Sequence, residues 1–293
     1  MTNHLFQLAD GRTLGYSFYG PGDGQPVFYF HGTPSSRLEP LLLDGYDKDL
    51  EELLIKYAIN LIAIDRPGMG LSTINKKGTF LSFAEDVQQL AKHLNITSAK
   101  VLGWSGAGPF ALAIAYKYPA IINSVFILTG FTRSFGEPGV FKNMSGNKYY
   151  FGAARTIPWL LRSVLSIVSK QKAKSPIPQW ISGLPDVDHN LIKLPKQLKA
   201  VADNTLKEAC INGSNGVVYE AATYYNDFQF TLKDVTQPVH YWYGLKDTTV
   251  TKIHPQSLEQ QLPNSVLHYK QDEGHLSTYI NYFEEVLRTI AET

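Results

Sequence analysis

One stretch limits the possible folds more than any other: Val101-Leu102-Gly103-Trp104-Ser105-Gly106-Ala107-Gly108-Pro109-Phe110-Ala111, an apolar run ending in a serine between small residues and passing at once into a helical pattern. A strand that turns directly into a helix around Ser105 forces strained backbone angles there. The positions two before and two after it must therefore be small, and they are Gly103 and Ala107. Such a turn lifts the hydroxyl clear of the strand end. The N–H groups that follow open a helix, lack intrahelical partners and point towards any oxyanion formed beside the serine. The spacing Gly106-x-Gly108-x-x-Ala111 also fits the loose dinucleotide-binding fingerprint. That fingerprint belongs to a first βα unit with an acidic residue about twenty positions on, whereas the next acidic residue after Ala111 is Glu137.

The rest of the chain supplies the pattern that such a turn requires. Leu5 to Ala9 and Thr13 to Tyr19 read as short strands around an Asp10-Gly11 turn, and Val27-Phe28-Tyr29-Phe30 as a buried strand leading to His31-Gly32-Thr33-Pro34. Leu50 to Tyr57 has helical spacing, and Leu61-Ile62-Ala63-Ile64 is another buried-strand run, ending in Asp65-Arg66-Pro67-Gly68. Ser82 and Glu85 have the spacing of a capping box ahead of Phe83, Val87, Leu90 and Leu94. After the Ser105 helix, Ser124 to Thr129 is a strand, and the next comparable one is Pro238 to Tyr243. A helix around Pro255 to Leu262, a strand over Val266 to Lys270 and a last helix from Thr278 complete the series. Strands joined by helices imply a mostly parallel sheet flanked by helices, with its ligand site at the carboxyl ends of the strands.

The gap between Thr129 and Pro238 far exceeds the roughly two to six residues of an ordinary connection, so residues 131–234 are expected to form an inserted cap. Residues 1–130 and 235–293 then make up the core. The cap contains the apolar segment Ile157 to Val168, flanked by Arg155, Lys170, Lys172 and Lys174. We read it as a lid helix over an apolar pocket, with Trp159, Leu160, Leu161, Val164 and Leu165 too apolar for an open surface. A membrane-surface helix is the alternative.

Composition restricts the partners. A formal net charge of +1 offers no electrostatic case for nucleic acid, and the single cysteine, Cys210, excludes an intrachain disulfide. No apolar stretch approaches the roughly 20 residues of a membrane span, and the first ten residues lack a basic-then-apolar leader pattern. The expectation is a cytoplasmic protein acting on a small molecule, its oligomeric state open.

Gly103-Trp104-Ser105-Gly106-Ala107, with His31-Gly32-Thr33-Pro34 and Asp65-Arg66-Pro67-Gly68-Met69-Gly70 upstream, resembles the α/β-hydrolase superfamily over nearly the whole chain. Ala107 stands where the usual motif has a second glycine. The resemblance implies an α/β-hydrolase fold and a catalytic order of serine, acid, histidine, met here by Ser105, Asp247 and His275. Asp65 and Asp272 are alternative acids, and His31 is the rival histidine, expected instead to shape the oxyanion loop. The oxyanion hole would use the backbone N–H groups of Thr33 and Gly106, since Pro34 cannot donate. Trp104, Trp159, Leu161 and Leu165 are candidate pocket residues. No histidine pair has zinc-site spacing, and neither metal nor cofactor is implied.

The expected activity is cleavage of a small, largely apolar ester or related acyl compound. A prolyl-type aminopeptidase or a carbon–carbon bond hydrolase could use the same triad. An aminopeptidase would need a cap carboxylate for the substrate ammonium, with Glu137, Asp186, Asp188, Glu208 and Glu220 as candidates. A non-catalytic ligand-binding receptor that retains the fold is the alternative of another class.

Overall fold

The computed structural model describes residues 3–172, 183–262 and 264–293. Lys174, one of the expected flanking charges of the cap helix, lies outside the described residues. Eight strands form one sheet: β1 (Asn3–Gln7), β2 (Thr13–Tyr19), β3 (Gln25–Phe30), β4 (Ile59–Ile64), β5 (Ala99–Trp104), β6 (Ile122–Leu128), β7 (Val239–Gly244) and β8 (Ser265–Lys270). Their spatial order is β1-β2-β4-β3-β5-β6-β7-β8. β2 runs antiparallel to both β1 and β4, and every other pairing is parallel. The unbroken apolar runs of β4 and β5 are buried along their whole length, as strands covered on both faces must be. β1 and β8, at the two edges, stay partly exposed.

Helices α1 (Leu50–Lys56), α2 (Phe80–His93) and α3 (Gly108–Lys117) follow the first half of the sheet. Between β6 and β7 the described residues form helices and no strand: α4 (Lys148–Thr156), α5 (Pro158–Val168), α6 (Asp186–Asn190), α7 (Pro195–Ala202) and α8 (Asn215–Thr223). Helices α9 (Ile253–Gln261) and α10 (His275–Glu292) flank β8 in the chain. The core lies in two apolar clusters. One includes Phe28, Phe83 and Phe110, and the other Tyr29, Trp242 and Phe283.

Four local expectations need correction. β1 starts and ends two residues early, because Leu8 N–H bonds the Arg12 carbonyl and residues 8–12 form the turn. α2 begins at Phe80 with Thr79 as its cap; Ser82 is the reciprocal partner at N3, and Glu85 instead pairs with Lys117. The last helix starts at His275, three residues before the expected Thr278, because a carboxylate from another element accepts the N–H groups of His275 and Ser277 while Ser277 Oγ accepts that of the capping Gly274. On α5, Leu161 and Leu165 face inward and are buried, but Trp159, Leu160 and Val164 are exposed. Helical periodicity puts Leu161 and Leu165 on one stripe and Leu160 and Val164 on another, so one packed face cannot cover all five.

Candidate active site

β5 delivers Ser105 to a 3-10 turn (Ser105–Ala107) that passes into α3. Ser105 has φ of +56°, in the left-handed region that a serine enters only under constraint. A Cβ on Gly103 would stand 2.8 Å from the Ala107 Cβ, so both positions have to be small for the turn to close.

Two loops that follow neighbouring strands bring the other side chains to Ser105. His275 Nε2 lies 2.8 Å from Ser105 Oγ, and His275 Nδ1 lies 2.7 Å from Asp247 Oδ2. An ionised carboxylate only accepts, so Nδ1 carries the hydrogen and Nε2 is left to accept the serine proton. The other oxygen of Asp247 accepts the N–H groups of Thr249 and Val250 at 2.8 and 2.9 Å, which fixes the carboxylate beside the ring. All three side chains are buried. Burial alone would lower the His275 pKa; the charge and hydrogen bond of Asp247 outweigh it and hold the pKa above the ordinary value, with Asp188 acting in the same sense.

Asp188, on α6, contributes to the site in a way that its neighbours in sequence do not announce. Its carboxylate accepts the N–H of His275 at 2.6 Å and of Ser277 at 2.8 Å, capping α10 from another element. A Cβ on Gly274 would stand 2.5 Å from Asp188 Oδ2, so the close approach requires glycine before the histidine. Trp104 stacks on the His275 ring with centroids 5.3 Å apart, and Tyr279 packs 4.6 Å from Trp104.

The loop after β3 meets the elbow from the other side. A Cβ on Gly106 would stand 2.8 Å from Thr33 Cγ2, so the N–H groups of Thr33 and Gly106 belong to facing segments. Gly32 N–H is committed to the Glu39 carboxylate at 2.8 and 2.9 Å, leaving Thr33 as the next donor along the loop. Burial pushes Glu39 up to about 7. His31 Nδ1 donates to the Gly32 carbonyl at 2.7 Å and Nε2 accepts Arg66 N–H at 3.1 Å. Burial and the nearby Arg66 keep its pKa far below the ordinary value, so His31 is a neutral structural ring. Arg66 binds the carbonyls of His31 and Gly32 and, through Nε and Nη2, both oxygens of Glu220 at 2.6 Å. Glu220 also accepts Thr33 Oγ1 at 2.6 Å, and Tyr224 OH donates to the Gly106 carbonyl at 2.7 Å. α8 is thereby tied to both halves of the expected oxyanion hole.

The profile of the alpha/beta hydrolase fold family matches residues 25–282. This chain is an α/β hydrolase. Among curated proteins it is similar to the uncharacterized hydrolase YcgS of Bacillus subtilis, 29% identical over 44% of this chain and 42% of that protein. It is also similar to a putative proline iminopeptidase of Mycoplasma genitalium, 26% identical over 41% of this chain and 37% of that one. The match therefore spans only about two-fifths of those relatives' length. Among solved structures, an esterase from Exiguobacterium antarcticum superposes over 100% of both chains with a TM-score of 0.69 at 17% identity, a likeness of fold.

The alternative acids are engaged with other partners. Asp65 is buried and accepts the N–H groups of Arg37 and Leu71 as well as the Arg37 guanidinium, the work of a turn carboxylate. Asp272 pairs with Lys246 at the surface. Leu161 and Leu165 belong to the buried apolar core, and Trp159, 64% exposed, lies on the outer side of α5. Two clefts of about 450 Å³ each, one lined by Arg133, Tyr225 and Phe228 and the other by Pro158, Arg162 and Tyr219, do not border Ser105. Burial raises the Cys210 thiol to about 11, which disfavours the thiolate.

Proposed function

We propose that this hydrolase cleaves a small, largely apolar ester or related acyl compound through an acyl-enzyme on Ser105, beneath a helical cap formed by residues 131–234. The observation that carries this reading is the unbroken chain from Ser105 Oγ to His275 Nε2 at 2.8 Å and from His275 Nδ1 to Asp247 at 2.7 Å. His275 takes the hydroxyl proton as Oγ attacks the acyl carbon, and the Thr33 and Gly106 N–H groups receive the oxyanion. The imidazolium, stabilised by Asp247, returns the proton to the departing alcohol. Water then attacks the acyl carbon while His275 takes its proton, His275 passes that proton to the departing Ser105 Oγ as the acid is released, and this sequence needs no cofactor.

An aminopeptidase would need a cap carboxylate available to a substrate ammonium. Four of the five candidates are engaged: Glu220 is held by Arg66, Glu208 by Arg37, Glu137 by Arg133, and Asp188 by the N–H groups of α10. These engagements favour the neutral ester over the charged amine. The test is twofold. A fluorophosphonate should label Ser105, and Ser105→Ala should lose labelling and turnover with its melting curve almost unchanged; retained turnover overturns the proposal. A panel of p-nitrophenyl esters and aminoacyl amides on the purified protein then separates the substrate classes.

A further inference from the structure

The outer face of α5 is apolar where solvent contact predicts polar residues. Leu160, Val164, Ile167 and Val168, spaced i, i+4, i+7 and i+8, form one exposed stripe, with Trp159 (64% exposed) beside it. Leu161 and Leu165 already supply the stripe that packs inward. A helix lying on a core needs only that one, so packing among the described residues does not explain the second.

Charge along the segment that carries this face is as one-sided as its apolarity. Between Glu137 and Asp186 the sequence has no acidic residue, although the whole chain is nearly balanced at +1. The same interval carries Lys142, Arg155, Arg162, Lys170 and Lys172, all exposed. Glu137, at its edge, is neutralised by Arg133. No helix among the described residues is long and apolar enough to cross a membrane. An apolar stripe with tryptophan, in a segment whose charged residues are all cations, is the chemistry of a surface that lies on anionic headgroups rather than spanning them.

We infer that the outer face of α5 docks this protein on an anionic phospholipid surface, with Trp159 and Ile167 entering the interface and the flanking cations meeting lipid phosphates and carboxylates. A protein partner or a second copy with this apolar stripe would not by itself account for the missing carboxylates. The inference stands independently of the reaction at Ser105.

Sedimentation of the full chain with phosphatidylcholine vesicles, with and without roughly 30% phosphatidylserine, tests it. Binding should appear with phosphatidylserine and disappear as ionic strength rises from about 0.1 M to 1 M, which shortens the Debye length from about 10 Å to 3 Å. Ile167→Glu should weaken binding roughly tenfold, and Arg155→Glu with Lys170→Glu roughly twentyfold or more. All three positions are exposed, so melting temperatures should stay near that of the parent chain, a control for folding. Equal binding to both vesicle types, or none to either, overturns the inference. It is equally overturned if sedimentation velocity shows a dimer that Ile167→Glu dissolves while vesicles bind neither form.

Discussion

His275 is pulled in two directions, since burial favours the neutral ring and the Asp247 carboxylate favours the cation, and the carboxylate wins. A general base works only when neutral, so ester turnover should rise with pH through an apparent pKa above the unperturbed value of about 6.5. Asp247→Asn removes the largest influence against burial and leaves only the weaker pull of carboxylates such as Asp188. Its activity limb should move to lower pH while kcat falls roughly 10⁴-fold with little change in KM, as expected for a loss confined to the transition state. The sign for stability is opposite. A folded-state pKa above the unfolded one adds stability below the unfolded value, and that increment disappears as pH rises through the folded value. Turnover and melting temperature measured across the same pH range check both trends. A His275 limb that stays in place in Asp247→Asn would assign the acid elsewhere.

Two elements have their geometry set by partners distant in sequence. α10 begins at His275 because Asp188 accepts its first N–H groups, an N-cap supplied from α6. Asp188→Ala should cost about 1 kcal/mol of stability and move the activity limb to lower pH, since Asp188 also helps to raise the His275 pKa. Urea denaturation and a pH–rate profile read the two effects separately, and a purely structural role would leave the profile unmoved. α5 presents the complementary case. Leu161 is buried among apolar neighbours, so Leu161→Ala should destabilise by about 2–5 kcal/mol through lost burial and a residual cavity. Denaturation midpoints check it. Altered preference across an ester chain-length series without such a loss would instead make Leu161 a pocket residue.

Across the whole molecule, the helical segment between β6 and β7 and the sheet are joined by a buried ion pair beside the candidate active site. Arg66, in the turn after β4, and Glu220, on α8, are both buried, and the same guanidinium holds the loop that carries Thr33. Removing one partner of such a pair leaves an uncompensated charge, so Glu220→Ala should cost about 3–5 kcal/mol. Thr33 Oγ1 loses its acceptor in the same variant, and ester turnover should fall with stability. Chemical denaturation followed by fluorescence, with turnover measured well below the transition, checks both. Unchanged stability would mean that insertion and sheet are held together elsewhere.

The local pattern of the chain carried much of the architecture. Apolar runs at Val27–Phe30, Leu61–Ile64 and Val101–Leu102, each followed by a turn of small or polar residues, specify buried parallel strands, because such runs can be covered only from both faces. The small residues around Ser105 announce a strained turn, because only Gly103 and Ala107 let strand and helix approach so closely. Candidate residues at the ends of strands could be named for the same reason: a parallel sheet gathers its carboxyl ends along one edge. Tertiary structure decided the contacts between distant segments. Asp188 reaches His275 across 87 positions and Glu220 reaches Arg66 across 154, and neither carboxylate has neighbours that set it apart from Glu137 or Asp186. Which stripe of α5 would pack inward was likewise undetermined, since the helix is apolar on both sides. Periodicity states which residues share a face, but only the surface on which the helix lands selects the face that is buried.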